Sequence, residues 1–394
     1  MRGQSRCKCN RGWYDGVRTG ERQAIRARCG PWFRHLRHGH RTHGALYEPT
    51  PRPVELVENL LNDVAAPLFA LIIGVTITLT APAAERAGSA ETSALRRRYR
   101  LQTAVKAGVL IALGFLLEFA PSGVNIVLDY LGVMLLVMIP LLFLSNRTLI
   151  IVAAAIVAIG PALVTLVRQL AITAPTLIYP QNFFTVVLDW FVLGTGYQVP
   201  IFVAMGLAGL VIGRTILRNR RALLIVLVVS VIAFIPPKIW KMRDLPGYDI
   251  RGNYPEVLNE TALAIGLFAL ILLLTDLASS RLRRFTVPIF TPFVAPGRMA
   301  LSVYVFHVLI LMWIVDLLFD VSPVMLPWFT WPRGLAIQIG LVVLCWAFAA
   351  AWSRWVGVGP LERVIGVLSG RHRLAASRRS TQPPVGAAQS QEQR

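Results

Sequence analysis

Long apolar runs separated by short polar segments fill the chain from about residue 60 onward. A helix needs about 20 mainly apolar residues to cross a hydrocarbon core of about 30 Å, and nine runs approach that length. They are residues 61–80, 104–120, 124–144, 149–170, 199–217, 222–236, 257–277, 299–318 and 335–356. The pattern predicts an all-α fold, a polytopic transmembrane helical bundle of about nine spans.

Two apolar segments fit this pattern less well. The run 222–236 is short, and the sequence "IPP" at 235–237 is expected to end it. The segment "FFTVVLDWFVL" at 183–193 is too short to span a bilayer. It is predicted to be interfacial or re-entrant, with Asp189 and Trp190 near the surface.

Composition and charge agree with a membrane protein. The chain is 55% hydrophobic with a mean hydropathy of +0.59, which excludes an ordinary soluble domain and makes the lipid bilayer its main partner. The net charge of +20 comes largely from basic segments in alternate loops, such as "RRRYR" (96–100) and "SSRLRR" (279–284). By the positive-inside rule these loops are cytoplasmic, and so is the C-terminus of this multi-pass protein of the cytoplasmic membrane. No motif indicates binding to nucleic acid.

Residues 1–52 have a different composition from the rest, with twelve Lys or Arg against three acidic residues. Two interpretations are open: a basic external tail, or a segment mistranslated from a wrong start or a shifted frame. We favour the second, because a lost first helix would give ten spans and a cytoplasmic N-terminus. Residues 53–370 are predicted to form the membrane domain, and 371–394 a disordered cytoplasmic tail.

Cysteine and histidine patterns do not indicate a metal site. The pair Cys7 and Cys9 is spaced too closely for a usual zinc pair, and Cys345 stands alone in an apolar helix. Four His fall within "RHLRHGHRTH" (34–43), but their spacing does not present three ligands on one face. We therefore expect no metal and no tightly bound cofactor.

Charged side chains inside predicted spans cost about 2.5–3.5 kcal/mol each, so each suggests a function. Asp63 and Asp129 are predicted to lie near the outer ends of the first and third spans. The other candidates are Glu118, Arg168, Asp276 and Asp316.

The most informative stretch is "GRMALSVYVFHVLIL" (297–311). On one helix Arg298 and Ser302 share a face, and Tyr304 and His307 meet because they are three residues apart. Nine residues, or about 13 Å, would then separate a cytoplasmic Arg298 from a mid-membrane His307. The arginine could hold a phosphate and the histidine could move a proton. The alternative is a structural histidine bonded to a backbone carbonyl and an arginine that anchors the helix end.

Two C-terminal motifs carry a family resemblance. The segments "PFVAPGRMALSVYVFHVLIL" (292–311) and "GVGPLERVIGVLSG" (357–370) resemble the C-terminal signature of the bacterial family called domain of unknown function 418 (YeiB-like). Upstream, "NDVAAPLFALIIGVT" (62–76) is similar to a segment of heparan-α-glucosaminide N-acetyltransferase-like proteins and of the acyltransferase-3 group. Asp63, Pro67 and Gly74 carry that second match.

The resemblance implies transfer of an acyl group from cytosolic acyl-CoA, such as acetyl-CoA, to a glycan or other cell-envelope acceptor at the outer face. In that reading His307 is the catalytic base and Arg298 holds the CoA phosphates. Tyr304, Ser302, Asp63 and Asp129 are the remaining candidates for binding substrate. The histidine that the glucosaminide enzymes place ahead of their aspartate segment has no clear counterpart in this chain.

Two other functions fit the residues. A transporter or exporter without covalent chemistry would also have intramembrane carboxylates and proline-broken helices. A structural or regulatory membrane protein would use the buried polar residues only for stability.

Overall fold

The computed structural model describes residues 52–80, 89–119, 125–173, 183–194, 196–243, 252–275, 277, 280–321 and 331–370. All regular elements in these ranges are helices, which confirms the all-α prediction. The predictions for residues 1–51, Asp276 and the tail 371–394 lie outside the described residues.

Thirteen α-helices occur in the described ranges. They are α1 (Arg52–Thr80), α2 (Ser89–Glu118), α3 (Leu128–Met138), α4 (Asn146–Thr173), α5 (Phe183–Leu188), α6 (Val199–Thr215), α7 (Arg220–Met242), α8 (Tyr254–Leu274), α9 (Ser280–Phe290), α10 (Val294–Arg298), α11 (Ala300–Val321), α12 (Trp331–Trp355) and α13 (Pro360–Leu368). A π-helical turn, Asp189–Leu193, follows α5, and a 3-10 turn, Thr291–Phe293, joins α9 to α10.

The predicted runs coincide with helices, but fewer of them are long enough to cross a membrane. Within the described ranges, α1, α2, α4, α7, α8 and α12 meet the requirements of length and hydropathy. The segment α9–α10 together with α11 gives a seventh span if that bent pair counts as one, whereas α3 and α6 are shorter apolar helices. The chain is therefore a multi-pass membrane protein, and the count of nine spans is not confirmed.

Helix α6 lies at the centre of the bundle, where α1, α3 and α4 pack against it. Its side chains Phe202, Leu207 and Leu210 are fully buried. Glycines bring α1 and α6 into backbone contact, since a Cβ atom on Gly209 would lie 3.1 Å from the Cα atom of Gly74. Small residues at such crossings let membrane helices approach closely, which replaces the hydrophobic drive that is missing in lipid.

The third predicted span, 124–144, is shorter in the structure because its second part is not helical. Helix α3 ends at Met138, and residues 139–144 form successive turns. The guanidinium of Arg214 donates hydrogen bonds to the carbonyl oxygens of Leu142 and Leu144, at 2.6 and 2.8 Å. Arg214 thus stabilises the non-helical turns at one end of the bundle.

The sequence "IPP" does not end its helix, contrary to the prediction. Helix α7 contains Pro236 and Pro237 and continues to Met242. Each proline removes one backbone donor, but membrane helices tolerate this loss when neighbouring groups satisfy the freed carbonyls. The sixth predicted run is therefore long enough to span.

The C-terminal third begins with a sharp change of direction. The axis of α9–α10 and that of α11 differ by 78°, and the buried Met299 occupies the bend. Helix α12 packs against α10 and α11, and α13 contacts α11 and α2. The bend places the first turns of α11 against the N-terminal half of the molecule.

Candidate functional site

Asp129 is a buried carboxylate in the first turn of α3, only 2% exposed. Its Oδ2 atom accepts a hydrogen bond from the indole Nε1 of Trp190 at 2.8 Å. Its Oδ1 atom is also buried and has no hydrogen-bond partner among the described residues. Nearly all buried polar atoms in folded proteins are satisfied, so an unsatisfied carboxylate oxygen suggests a place for a ligand or a proton.

Trp190 reaches Asp129 from the π-helical turn that follows α5. Its ring packs against Phe115 of α2, with ring centroids 5.9 Å apart. π-helical turns are rare and occur frequently at functional sites. Trp190 is half-buried and Asp189 is exposed. The interfacial or re-entrant position of this segment stays a prediction.

Tyr304 joins the first turns of α11 to the start of α3. Its hydroxyl oxygen accepts a hydrogen bond from the backbone nitrogen of Val127 at 3.1 Å, two residues before Asp129. The N–H groups at a helix start have no partner inside the helix, so this bond satisfies one of them. Leu301 and Val305 pack on the same side against a cluster that includes Leu117.

His307 lies one turn beyond Tyr304, and the two rings meet edge to face, with centroids 4.9 Å apart and planes at 78°. The contact predicted from their spacing is therefore confirmed. The imidazole also interacts with the backbone of Val303 and Tyr304 in the preceding turn of its own helix. The catalytic role of His307 stays a prediction.

Ser302 is buried where the two C-terminal motifs meet. Its hydroxyl donates to the Oε2 atom of Glu362 and accepts a hydrogen bond from the backbone nitrogen of Leu361 at 3.1 Å. The Oε1 atom of Glu362 accepts from the backbone nitrogens of Leu301 and Ser302, at 2.9 and 3.1 Å. Glu362 therefore caps the start of α11, and the binding of a substrate by Ser302 stays a prediction.

Arg298 is the last residue of α10 and is exposed. The prediction that Arg298 and Ser302 share one helical face is wrong, because the chain bends by 78° between α10 and α11. For the same reason, the helical rise calculated from Arg298 to His307 does not apply. The role of Arg298 in binding a phosphate stays a prediction.

The structure also conflicts with the membrane depths that the sequence assigns to α11 and to Asp129. The sequence places the start of α11 at the cytoplasmic face and Asp129 towards the outer face. In the structure Tyr304, in the second turn of α11, contacts the start of α3 directly. The two helix starts therefore lie in one layer of the bundle, where Asp129, Trp190, Tyr304 and His307 form what we call the polar layer.

Asp63 belongs to a second polar cluster among α1, α7 and α8. Its Oδ2 atom accepts a hydrogen bond from Nδ2 of Asn259 at 3.1 Å. Asn259 is 1% exposed, and its Oδ1 atom has no partner among the described residues. Lys238 interacts electrostatically with the same carboxylate. Asp63 is thus hydrogen-bonded to Asn259 and within electrostatic range of Lys238, and its part in binding substrate stays a prediction.

The described residues contain no group of three or more His, Cys, Asp or Glu side chains arranged to hold a metal ion. The polar layer contains a carboxylate, an imidazole, a phenol and an indole. These groups can exchange protons and donate hydrogen bonds, which is the chemistry of acid–base catalysis or of polar ligand binding.

Fold and site together define a multi-pass helical membrane protein with a polar layer inside its helical bundle. Comparison with known families confirms the resemblance to domain of unknown function 418 and the resemblance to heparan-α-glucosaminide N-acetyltransferase-like proteins. Residues 212–369 match the family described as protein of unknown function (DUF418). Residues 51–238 match the family described as heparan-alpha-glucosaminide N-acetyltransferase, catalytic. No curated protein and no solved structure matches the chain significantly.

The two matches meet at the polar layer. Asp129 and Trp190 lie in the segment similar to the N-acetyltransferase, and Tyr304 and His307 lie in the segment similar to the uncharacterised family. The matches overlap at residues 212–238, which run from the last turn of α6 into α7. Residues from both segments are therefore needed to form the layer.

Proposed function

We propose that this chain is a membrane acyltransferase that uses cytosolic acyl-CoA and modifies a glycan or other envelope component at the outer face. The observation that carries the proposal is the polar layer, in which a buried carboxylate with an unsatisfied oxygen lies close to a Tyr–His pair. The similarity of residues 51–238 to an N-acetyltransferase catalytic segment gives the class of reaction.

The proposed reaction needs a base and a hydrogen-bond donor. His307 removes the proton from the acceptor's hydroxyl or amine, whose oxygen or nitrogen forms a bond to the acyl carbon. The bond from that carbon to the sulfur of CoA breaks, and the thiolate leaves and takes up the proton from His307. Tyr304 accepts a bond from Val127 and still has a hydroxyl hydrogen to donate to the thioester oxygen.

Asp129 has a separate part in this proposal. Trp190 fixes one oxygen of the carboxylate, so the unsatisfied Oδ1 atom points in a defined direction. That atom can accept a hydrogen bond from the acceptor and orient it for attack. Precise placement of the reacting groups supplies much of the rate enhancement in bimolecular reactions.

A small polar depression beside α6 is the proposed contact surface for the acceptor. Its lining includes Tyr197, Gln198, Glu256 and Glu260. Tyr197 packs on Tyr130, the residue after Asp129, with ring centroids 5.8 Å apart. Hydroxyl, amide and carboxylate groups suit an acceptor with several hydroxyl or amino groups.

Arg298 is the proposed contact for the CoA phosphates, because it is exposed and an arginine binds phosphate through two parallel hydrogen bonds. The test is the thermal unfolding of the purified chain with and without CoA and acetyl-CoA. A ligand at a hundred times its Kd adds about 2.7 kcal/mol of stability, which raises Tm by a few degrees.

We expect the rise to be lost in Arg298→Ala and kept in Arg354→Ala. The control residue is also an exposed arginine, in the last turn of α12. A wild-type chain that is not stabilised by either ligand would contradict acyl-CoA as the donor. An equal rise in both variants would contradict only the role of Arg298.

A further inference from the structure

Helix α9 has a basic face and an apolar face, and both are exposed. Arg281, Arg283 and Arg284 lie in its first half, and all three are exposed. Leu282, Phe285 and Ile289 follow the spacing i, i+3, i+7, which places them on one side of a helix. Phe285 is 70% exposed and Ile289 is 64% exposed.

The remaining side of α9 is fixed to the bundle. Thr286 is buried, and its hydroxyl donates a hydrogen bond to the carbonyl oxygen of Leu274, at the end of α8. Further along, the indole Nε1 of Trp346 in α12 donates to the carbonyl oxygen of Pro292 at 3.0 Å. The segment is therefore held near the middle of α9 and just beyond its C-terminal end, and Phe285, Ile289 and the arginines are exposed.

A crossing helix does not fit this distribution of residues. A transmembrane segment is apolar on the sides that meet lipid, whereas the exposed surface of α9 includes three arginines within four positions. A helix with one basic and one apolar face lies in the plane of the membrane interface and inserts its apolar side between the lipids. The bend of 78° before α11 agrees with a helix in the plane followed by one that crosses.

We propose that α9 is an interfacial helix that binds the headgroups of anionic phospholipids at the end of the bundle where α8 ends. Phe285 and Ile289 insert among the acyl chains, and the three arginines contact the headgroup phosphates. Arginine is always charged and matches phosphate geometry with its planar donors. By holding α9 and α10 in the interface, the lipid fixes the bend from which α11 enters the bundle. This proposal rests on α9 alone and does not depend on the proposed acyltransferase activity.

The test compares lipids that differ only in headgroup charge. The full chain is purified in an uncharged detergent, and its Tm is measured by intrinsic tryptophan fluorescence with added phosphatidylglycerol or phosphatidylcholine. We expect phosphatidylglycerol to raise Tm more than phosphatidylcholine does. Each basic residue near an anionic surface changes affinity about fivefold, so the triple change R281Q/R283Q/R284Q should weaken apparent affinity about a hundredfold.

The matched control is R218Q/R220Q/R221Q, which removes three exposed arginines from the turn after α6 and the first turn of α7. We expect this control to keep the effect of phosphatidylglycerol. An undiminished effect in the α9 variant, or an equal loss in both variants, would overturn the proposal. An equal rise with inorganic phosphate would also overturn it, because phosphate alone does not engage the apolar face.

Two further measurements apply if the triple variant fails to fold. In the wild type, raising the salt concentration from 0.1 M to 1 M shortens the screening length from about 10 Å to about 3 Å, so the effect should fall. The double change Phe285→Ser and Ile289→Ser should also reduce the rise in Tm that phosphatidylglycerol causes. If that double change instead converts a dimer to a monomer and the lipid effect is intact, the apolar face binds a second copy and the proposal is wrong.

Discussion

At the scale of single residues, the account depends on the pair formed by Asp129 and Trp190. The carboxylate is buried, the indole donates to one of its oxygens, and its second oxygen has no hydrogen-bond partner in the described part of the chain. Hydrogen bonds to charged groups contribute about 1.5–3 kcal/mol, so the indole both stabilises the carboxylate and orients it.

The change Trp190→Phe tests this positioning role, because it removes the N–H group and keeps a ring against Phe115. We expect kcat to fall about tenfold or more with a smaller change in KM, since the carboxylate loses its fixed direction. The control is Trp352→Phe, which removes an indole hydrogen bond to the carbonyl oxygen of Val358. Similar kcat values in the two variants would contradict the role of Trp190.

A second residue-scale prediction concerns Glu362. Its carboxylate accepts from two backbone N–H groups at the start of α11 and from Ser302, so Glu362→Ala should cost about 2–3 kcal/mol of unfolding free energy. Glu362→Gln keeps an acceptor and should lie between the wild type and Glu362→Ala. Val364→Ala, at an exposed position of α13, is the control. Thermal unfolding that gives Glu362→Ala and the control the same Tm would exclude the capping role.

The sequence predicts part of this site and misses the rest for a physical reason. Tyr304 and His307 are three residues apart on a helix, so their contact follows from local geometry. Asp129 and Trp190 are 61 positions apart, and their hydrogen bond depends on how α5 and its π-helical turn pack beside α3. The sequence does indicate that Trp190, if buried, needs an acceptor for its N–H group, but it does not indicate which residue supplies one.

At the scale of elements, hydrophobic patterning predicts where helices occur better than where they break. The breaks at Met138 and Met299 fall inside or beside apolar runs, and tertiary contacts stabilise them. Arg214 binds the carbonyls freed after Met138, and Glu362 caps the helix that restarts after Met299. Neither partner is adjacent in sequence, so hydropathy alone predicts a continuous helix in the first case and a shared face for Arg298 and Ser302 in the second.

The contact between α1 and α6 gives the element-scale prediction. A Cβ atom on Gly209 would come within 3.1 Å of Gly74, so Gly74→Ala and Gly209→Ala should each destabilise the bundle by at least about 1–3 kcal/mol. Gly108→Ala is the control, because its Cβ atom would meet no heavy atom within 4 Å. The measurements are Tm in detergent and the homogeneity of the purified chain. If all three variants unfold at the same temperature, the close crossing of α1 and α6 is wrong.

At the scale of the whole molecule, the polar layer joins the two segments that match different families. Neither segment contains the layer alone, since the buried carboxylate lies in one and the Tyr–His pair in the other. The bend before α11 is what brings the pair to the start of α3.

The most direct test of the account is the release of free CoA from acetyl-CoA by the full chain in proteoliposomes that contain glucosamine as a probe acceptor. We predict donor turnover that depends on the acceptor and falls at least about a hundredfold in His307→Ala and in Asp129→Asn, a loss of about 2.7 kcal/mol of transition-state stabilisation. The matched controls His372→Ala and Asp189→Asn should keep the wild-type rate. Full turnover in both site variants, or movement of glucosamine without turnover of acetyl-CoA, would contradict the polar layer as an acyl-transfer site.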